Sequence, residues 1–128
     1  MYKNLTTTSV LGITAVILGA FGAHALKTKL SPEAMQSFET AVRYQFLHVL
    51  LLLFVNTYNE FSSKQKNSIS WFLIAGVLLF SGSIYAIYLL GISAKSIWFV
   101  TPLGGVLLII GWSLMSCQFI KKLLKNNS

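Results

Sequence analysis

The sequence predicts an all-α integral membrane protein, a single domain over residues 1–128 that folds as a bundle of four transmembrane helices. Two observations predict this class. Hydrophobic residues make up 55% of the chain and charged residues only 10%, whereas an average soluble domain is roughly 25% charged. The apolar residues are also gathered into four runs, each close to or above the roughly 20 residues that a helix needs to cross the hydrocarbon core of a bilayer.

The four apolar runs cover residues 5–26, 41–58, 69–90 and 97–120. Lys3, the first run and the tripeptide "AHA" at residues 23–25 together have the parts of a cleaved signal peptide. The apolar stretch is longer than such a peptide normally has, however, and three further runs follow it. We therefore expect the first run to remain as the first membrane helix.

The second helix is predicted to begin well before its apolar run. Ser31 suits an N-cap, Pro32 suits the first helical position, and Glu33 suits the positive end of a helix. Helix two is therefore expected to start at Pro32 and to carry an amphipathic N-terminal part that extends beyond the membrane-spanning part. A polar loop at residues 59–68 and a short turn at residues 91–96 separate the later helices, so helices three and four should be antiparallel neighbours.

The basic residues indicate a membrane partner and an orientation. The net charge is +7, but the basic residues flank the apolar runs instead of forming a clustered basic face, so we expect the lipid bilayer as a partner and no nucleic acid. One side of the predicted topology has six basic residues, Lys3, Lys64, Lys66, Lys121, Lys122 and Lys125. The other has four, Lys27, Lys29, Arg43 and Lys95. The excess predicts that both termini are cytoplasmic.

Antiparallel threading brings unusual polar residues of all four helices toward the outer half of the bundle. The predicted polar cluster consists of His24, Glu39, Arg43, Tyr44, Gln45, His48, Ser81, Ser83, Tyr85 and Thr101. Glu39 precedes Arg43 by four residues, the favoured order for an intrahelical ion pair. This pair has two interpretations: it anchors helix two at the interface, or it helps to hold a ligand or partner.

Glycines are predicted to let the helices approach one another. The predicted packing positions are Gly12, Gly19, Gly22, Gly82 and Gly104. Small residues permit close backbone contact, which favours helix association in lipid. None of these glycines lies between a strand and a helix, so they do not indicate a nucleotide-binding loop.

The two histidines allow a redox alternative. His24 and His48 are expected at comparable depths on adjacent helices, where two imidazoles suffice as axial ligands of a haem. A haem- or quinone-binding redox subunit is therefore one alternative, and neutral histidines that are hydrogen-bonded across helices are another. No metal site is predicted, because two imidazoles alone do not complete a zinc site and the single Cys117 provides neither a disulfide nor a cysteine cluster.

Catalytic residues are not predicted. The chain has no aspartate, its three glutamates lie at or outside the membrane boundary, and neither Ser81 nor Ser83 lies in a nucleophile-elbow motif. A small transporter or channel formed by oligomers is a further alternative, although no acidic residue lies inside a predicted span.

Four segments resemble one family of small membrane proteins. These are "GAFGAHALK" at residues 19–27, "FETAVRYQFLH" at 38–48, "LFSGSIY" at 79–85 and "TPLGG" at 101–105. In this order and spacing they resemble domain-of-unknown-function family 423, whose animal members are called transmembrane protein 256. The resemblance implies four membrane helices with a retained first span, and it favours a bacterial inner membrane. The family has no established activity or cofactor to carry over.

Together these features predict a non-enzymatic, multi-pass inner-membrane protein. Its polar cluster is expected to bind a lipid-like or other small ligand, or to support a larger membrane complex. A membrane-protein partner or a second copy of the chain is then the expected partner.

Overall fold

The computed structural model describes all 128 residues, with four long helices and no strand. The helices are α1 (Tyr2–Phe21), which continues into a π-helical segment (Gly22–Leu26), α2 (Pro32–Thr57), α3 (Ser63–Leu90) and α4 (Val100–Asn126). All four are long and apolar enough to cross a membrane. The predicted all-α membrane bundle is therefore confirmed.

Local capping interactions determine where α2 and α3 begin. Ser31 accepts a hydrogen bond from the backbone N–H of Ala34, and α2 starts at Pro32 as predicted. At the start of α3, Ser62 and Gln65 form a reciprocal capping box, in which each side chain accepts a hydrogen bond from the other's backbone N–H. Residues 63–68, predicted as loop, are therefore helical. The polar loop is shorter than the sequence suggested because its second half forms the first turn and a half of α3.

The turn between α3 and α4 is longer than predicted. Gly91 ends α3 with φ +69°, a left-handed conformation that glycine adopts without the strain of a Cβ atom. Residues 97–99, counted in the fourth apolar run, lie before α4 begins at Val100. Pro102 explains this boundary, because a proline is tolerated in the first turn of a helix but removes a hydrogen bond further inside.

The helices form an open arrangement in which α1 packs on α2, α2 on α3, and α3 on α4. The α1 backbone meets α3 at only a few positions and does not approach α4. The central core lies between α2 and α3 and includes Leu52, Val55, Ile69, Leu73 and Val77. Many large apolar side chains on the outside of α1 and α4 are exposed, as expected for surfaces that contact lipid.

Glycine makes the closest helix contact possible. A Cβ atom on Gly104 of α4 would collide with the backbone nitrogen of Phe80 and lie 2.8 Å from the carbonyl carbon of Leu79 in α3. On α1, a Cβ atom on Gly22 would lie 2.7 Å from the ring of Phe38, and one on Gly19 would lie 3.3 Å from Val42.

The other two predicted packing glycines differ from these. A Cβ atom on Gly12 would make an ordinary contact with Val49 at 3.5 Å. Gly82 was wrongly predicted to pack, because nothing lies within 4 Å of the position of its Cβ atom. Gly82 lines the space between α1 and α3, where the two helices have separated. The tight contacts of α3 with α4 instead use Gly76 and Gly111, which meet Leu108 and Leu73.

The end of the bundle that carries both termini is here called the termini face, and the other end, with residues 27–31 and 91–99, the opposite face. A salt bridge of 2.9 Å between Glu60 and Lys122 joins the loop after α2 to the end of α4 at the termini face. The hydrogen bond and positive charge of Lys122 lower the pKa of the exposed Glu60 carboxyl. The pair is therefore complete above the ordinary carboxyl pKa and is lost as the pH falls through the lowered one.

Candidate functional site

The register of α1 against α2 separates the two histidines in depth. Asn4 is hydrogen-bonded to Asn56, and Gly22 lies against Phe38, so His24 lies near the level of residue 36. This level is about 18 Å from His48 along the bundle, at the 1.5 Å rise per residue of a helix. The prediction that His24 and His48 lie at comparable depths is therefore wrong, and no single haem iron fits between them. The sequence gives helix ends but not the register between helices.

Gln45 links three helices in the middle of the bundle. Its buried amide nitrogen donates to the carbonyl oxygen of Leu11 and to Oγ1 of Thr14, both at 2.8 Å. Its amide oxygen accepts a 2.7 Å hydrogen bond from the hydroxyl of Tyr85. Gln45 therefore connects α1, α2 and α3, and its side-chain amide is fully engaged inside the protein.

The serines of α3 are engaged in the same way. Ser81 is buried and donates to the carbonyl oxygen of Ala41 at 2.7 Å, which joins α3 to α2. Ser83 donates to the carbonyl oxygen of Phe80 and shares a short hydrogen bond with Thr101, which joins α3 to α4. These hydroxyls hold helices together, and Ser81 also lines a cavity of about 210 Å³ between α1 and α3.

His48 also has partners at both ring nitrogens. Nδ1 lies 2.6 Å from the carbonyl oxygen of Tyr44, and Nε2 accepts a 3.1 Å hydrogen bond from the indole N–H of Trp112. This pattern requires the proton on Nδ1, since a carbonyl oxygen can only accept. The ring is neutral and its lone pair is already used. His48 thus joins α2 to α4, while the Tyr44 ring stacks on Phe80 with centroids 4.7 Å apart.

Of the other three predicted residues, His24 and Glu39 lie toward the opposite face, and Arg43 lies within one turn of Gln45 on the outside of α2. His24, Glu39 and Arg43 are all exposed. The predicted ion pair between Glu39 and Arg43 is not formed. The structure has one salt bridge, and it joins Glu60 to Lys122. The four-residue spacing places the two charges on one face of α2 but does not bring them into contact.

A groove of about 240 Å³ lies between the end of α1 and the start of α2, next to these charges. Its apolar lining comes from Gly19, Gly22, Ala23, Met35, Phe38 and Val42, and its charged lining from Glu39 and Arg43. The α1 wall belongs partly to the π-helical segment Gly22–Leu26, which contains His24. Such π-helical turns are rare and occur frequently at functional sites. We call this space the α1–α2 groove.

A second polar network near the termini face was not predicted. Asn56 is completely buried in α2; its amide nitrogen donates to Oγ of Ser70 at 2.8 Å, and its oxygen accepts from Asn4 at 3.0 Å. Asn4 also donates to Asn67 at 2.9 Å. The sequence does contain an indication of this network. Asn56 follows the apolar run "LLLLFV", and a side-chain amide next to such a run needs a hydrogen-bond partner in lipid.

The predicted cluster therefore contains two kinds of residue: those whose polar groups are already hydrogen-bonded inside the protein, and those whose polar groups are free to contact a ligand. No buried side-chain nitrogen or oxygen lacks a hydrogen-bond partner, so Gln45, His48, Ser81 and Ser83 are committed to helix packing. The groups that can contact a ligand without breaking a hydrogen bond are the exposed ones beside the α1–α2 groove, above all Glu39 and Arg43. The arrangement offers charge recognition next to an apolar surface.

Comparison with known proteins gives consistent matches. The family described as "Protein of unknown function (DUF423)" matches residues 18–105. The chain is 42% identical to a UPF0382 membrane protein of Staphylococcus aureus (strain bovine RF122 / ET3-1), over 79% of this chain and 81% of that protein. It is 36% identical to the UPF0382 membrane protein YwdK of Bacillus subtilis, over 90% and 94% of the two chains. It is 37% identical to the UPF0382 inner membrane protein YgdD of Escherichia coli, over 84% and 81%. No solved structure matches the chain.

Proposed function

This chain belongs to the DUF423 family of membrane proteins of unknown function, and from that premise we propose that it is a non-enzymatic phospholipid-binding protein of the bacterial cytoplasmic membrane. The ligand is a zwitterionic phospholipid of the leaflet at the opposite face, bound at the α1–α2 groove. The observation that carries this proposal is the exposed, unpaired state of Glu39 and Arg43 on the rim of an apolar groove.

The order of the charges along α2 matches the order of charges in an aminophospholipid. Side chains of a helix tilt toward its N-terminus, so the Arg43 stem points toward the opposite face, and Glu39 lies one turn closer to that face. A phosphate accepts hydrogen bonds from the guanidinium of Arg43. The ammonium group, which lies beyond the phosphate, reaches the Glu39 carboxylate. The apolar lining of the groove takes the start of an acyl chain.

The membrane setting also explains why these two charges remain unpaired in the free protein. Arg43 lies near the middle of α2, and an arginine at such depth extends its apolar stem along the helix so that its charged head reaches toward the interface. There it meets headgroups instead of hydrocarbon. A bound lipid phosphate replaces water at the guanidinium without requiring any interior hydrogen bond to break.

Arg43→Gln should weaken the binding of phosphatidylethanolamine about tenfold or more, because a hydrogen bond to a charged group contributes roughly 1.5–3 kcal/mol. Native mass spectrometry of the protein in mild detergent, titrated with phosphatidylethanolamine, measures the occupancy of the first bound lipid. Glu39→Gln should weaken phosphatidylethanolamine more than phosphatidylcholine, since a quaternary ammonium is attracted by the carboxylate charge but donates no N–H hydrogen bond to it.

Lys95→Gln is the matched control for this titration. Lys95 is a cation on the same face, but it lies in the turn before α4 and does not line the groove. If Arg43→Gln and Lys95→Gln reduce occupancy equally, the retained lipid reflects general attraction to the face, and the groove is not the site.

We also propose that both termini are cytoplasmic. Six of the ten basic residues lie at the termini face or in the helix turns next to it, and the positive-inside rule places such a face in the cytoplasm. A reporter enzyme that is active only in the cytoplasm, fused after Ser128, should therefore be active. Activity of a periplasmic reporter at the same position would reverse the orientation and exchange the leaflets, without moving the lipid site within the protein.

A further inference from the structure

A second cleft opens between α1 and α3 at the termini face. It has a volume of about 590 Å³, within the roughly 300–1,000 Å³ range of ligand pockets. Its lining includes Lys3, Asn4 and Thr7 of α1, and Asn67, Trp71 and Leu78 of α3. The cleft exists because α1 and α3 both pack on α2 and diverge from each other beyond their contact near Asn4 and Asn67.

The cleft continues into the middle of the bundle. Leu78 lines both this cleft and a smaller cavity of about 210 Å³. The smaller cavity extends past Gly82 to Tyr85 and has Gln45 in its lining. Together these adjoining spaces are here called the α1–α3 slot, which begins at the termini face and extends to Tyr85 of α3. It has polar groups at its surface end and mainly apolar walls further in.

The unengaged polar groups at the surface end have a definite pattern. The Lys3 ammonium makes no ion pair or hydrogen bond, and the amide nitrogen of Asn67 donates to nothing in the protein. Both amide hydrogens of Asn4 are used, by Asn56 and Asn67, so Asn4 offers only its oxygen as an acceptor. Thr7 donates to the carbonyl oxygen of Lys3 and likewise retains an acceptor. The side chains at the surface end of the slot therefore offer one cation, one amide donor and two acceptors.

We propose that the α1–α3 slot binds an anionic phospholipid with a hydroxyl-bearing headgroup, of the phosphatidylglycerol class, from the leaflet at the termini face. The phosphodiester accepts hydrogen bonds from Lys3 and Asn67. The headgroup hydroxyls donate to Asn4 and Thr7. One acyl chain lies in the slot along Trp71, Ala75 and Leu78 toward Gly82, where the absence of a side chain leaves it room.

Two further observations support this occupant. Trp71 is 62% exposed at the wall of the slot, about two turns from the surface end, and tryptophans are enriched where headgroups meet hydrocarbon. The termini face also carries an excess of lysine and only Glu60 as an acidic residue. An anionic headgroup is therefore attracted to this face, and a zwitterionic one gains much less.

The test is native mass spectrometry of the full chain in mild detergent, titrated separately with phosphatidylglycerol and with phosphatidylcholine of the same acyl chains. The wild-type protein should retain one phosphatidylglycerol in preference to phosphatidylcholine. Lys3→Gln should weaken this first binding step about fivefold, the effect of one lysine at an anionic surface. Lys66→Gln, at the same face but outside the slot, should change it less than twofold. Equal losses for Lys3→Gln and Lys66→Gln would show general surface attraction and overturn the site.

Ala75→Leu tests the apolar part of the slot independently of charge. Ala75 lines the slot, and the larger side chain occupies the path of the acyl chain. Retention of phosphatidylglycerol should fall while the thermal midpoint of unfolding stays unchanged, and undiminished retention would overturn the proposed chain path.

Phosphatidic acid tests the headgroup contacts separately. It should bind more weakly than phosphatidylglycerol, because it lacks the glycerol hydroxyls that donate to Asn4 and Thr7. The phosphatidylethanolamine titration of Arg43→Gln concerns the other face, so either site can fail while the other stands.

Discussion

Gly104→Ala is expected to separate α4 from α3 and to lower the free energy of unfolding by at least about 2 kcal/mol, the usual range for overpacking being about 1–3 kcal/mol. The added methyl group would overlap the backbone nitrogen of Phe80 and lie 2.8 Å from its Cα atom. A backbone cannot rotate away as a flexible side chain does, so the two helices must move apart. The expected gain in helix propensity, up to about 1 kcal/mol, is too small to offset this. Unfolding in sodium dodecyl sulfate, followed by far-ultraviolet circular dichroism, measures the change.

The neighbouring residue provides the control for this prediction. A Cβ atom on Gly105 would lie 3.9 Å from the ring of Phe80, an ordinary van der Waals contact. Gly105→Ala should therefore leave the protein as stable or slightly more stable, since alanine has the higher helix propensity. Opposite signs for two adjacent glycines would locate the close contact at Gly104. Equal destabilisation would mean that the close contact of Gly104 with α3 does not explain the requirement for glycine.

This pair of glycines shows what the sequence could and could not predict. The number of membrane helices and the start of α2 at Pro32 follow from local chemistry, namely apolar run length and the Ser31 cap. Whether a glycine packs depends on which side of its helix faces a neighbour. Gly104 and Gly82 have similar small-residue surroundings in sequence, but only Gly104 meets another backbone.

The candidate site shows the same limit at the level of register. The sequence correctly places His24 and Glu39 toward the end of the bundle opposite the termini, because chain direction decides that. It does not give the stagger between α1 and α2, which separates His24 from His48. It also cannot show that Gln45 and His48 are already hydrogen-bonded, while Arg43 is free. Interhelical hydrogen bonds form between residues far apart in the chain, so no local pattern encodes them.

Gln45→Leu is expected to lower the free energy of unfolding by about 2 kcal/mol, because hydrogen bonds between membrane helices contribute roughly 0.6–1.7 kcal/mol each. The substitution removes the bonds to Leu11, Thr14 and Tyr85 together. It also leaves the Tyr85 hydroxyl without its acceptor in a half-buried position. The loss should be measured by the same unfolding titration, with Gln36→Leu as the control, since the Gln36 side chain is exposed on α2 and makes no hydrogen bond.

A double-mutant cycle with Tyr85→Phe distinguishes a lost hydrogen bond from lost packing at Gln45. The Tyr85 hydroxyl donates to the Gln45 oxygen. The sum of the stability losses in the two single variants should therefore exceed the stability loss in the double variant by about 1 kcal/mol, within the range of coupling between contacting residues. Additive losses would mean that the amide acts through packing alone. Because Gln45 lies in the deeper part of the α1–α3 slot, its loss should also loosen α1 from α2 and widen that slot. Phosphatidylglycerol retention should then change along with stability.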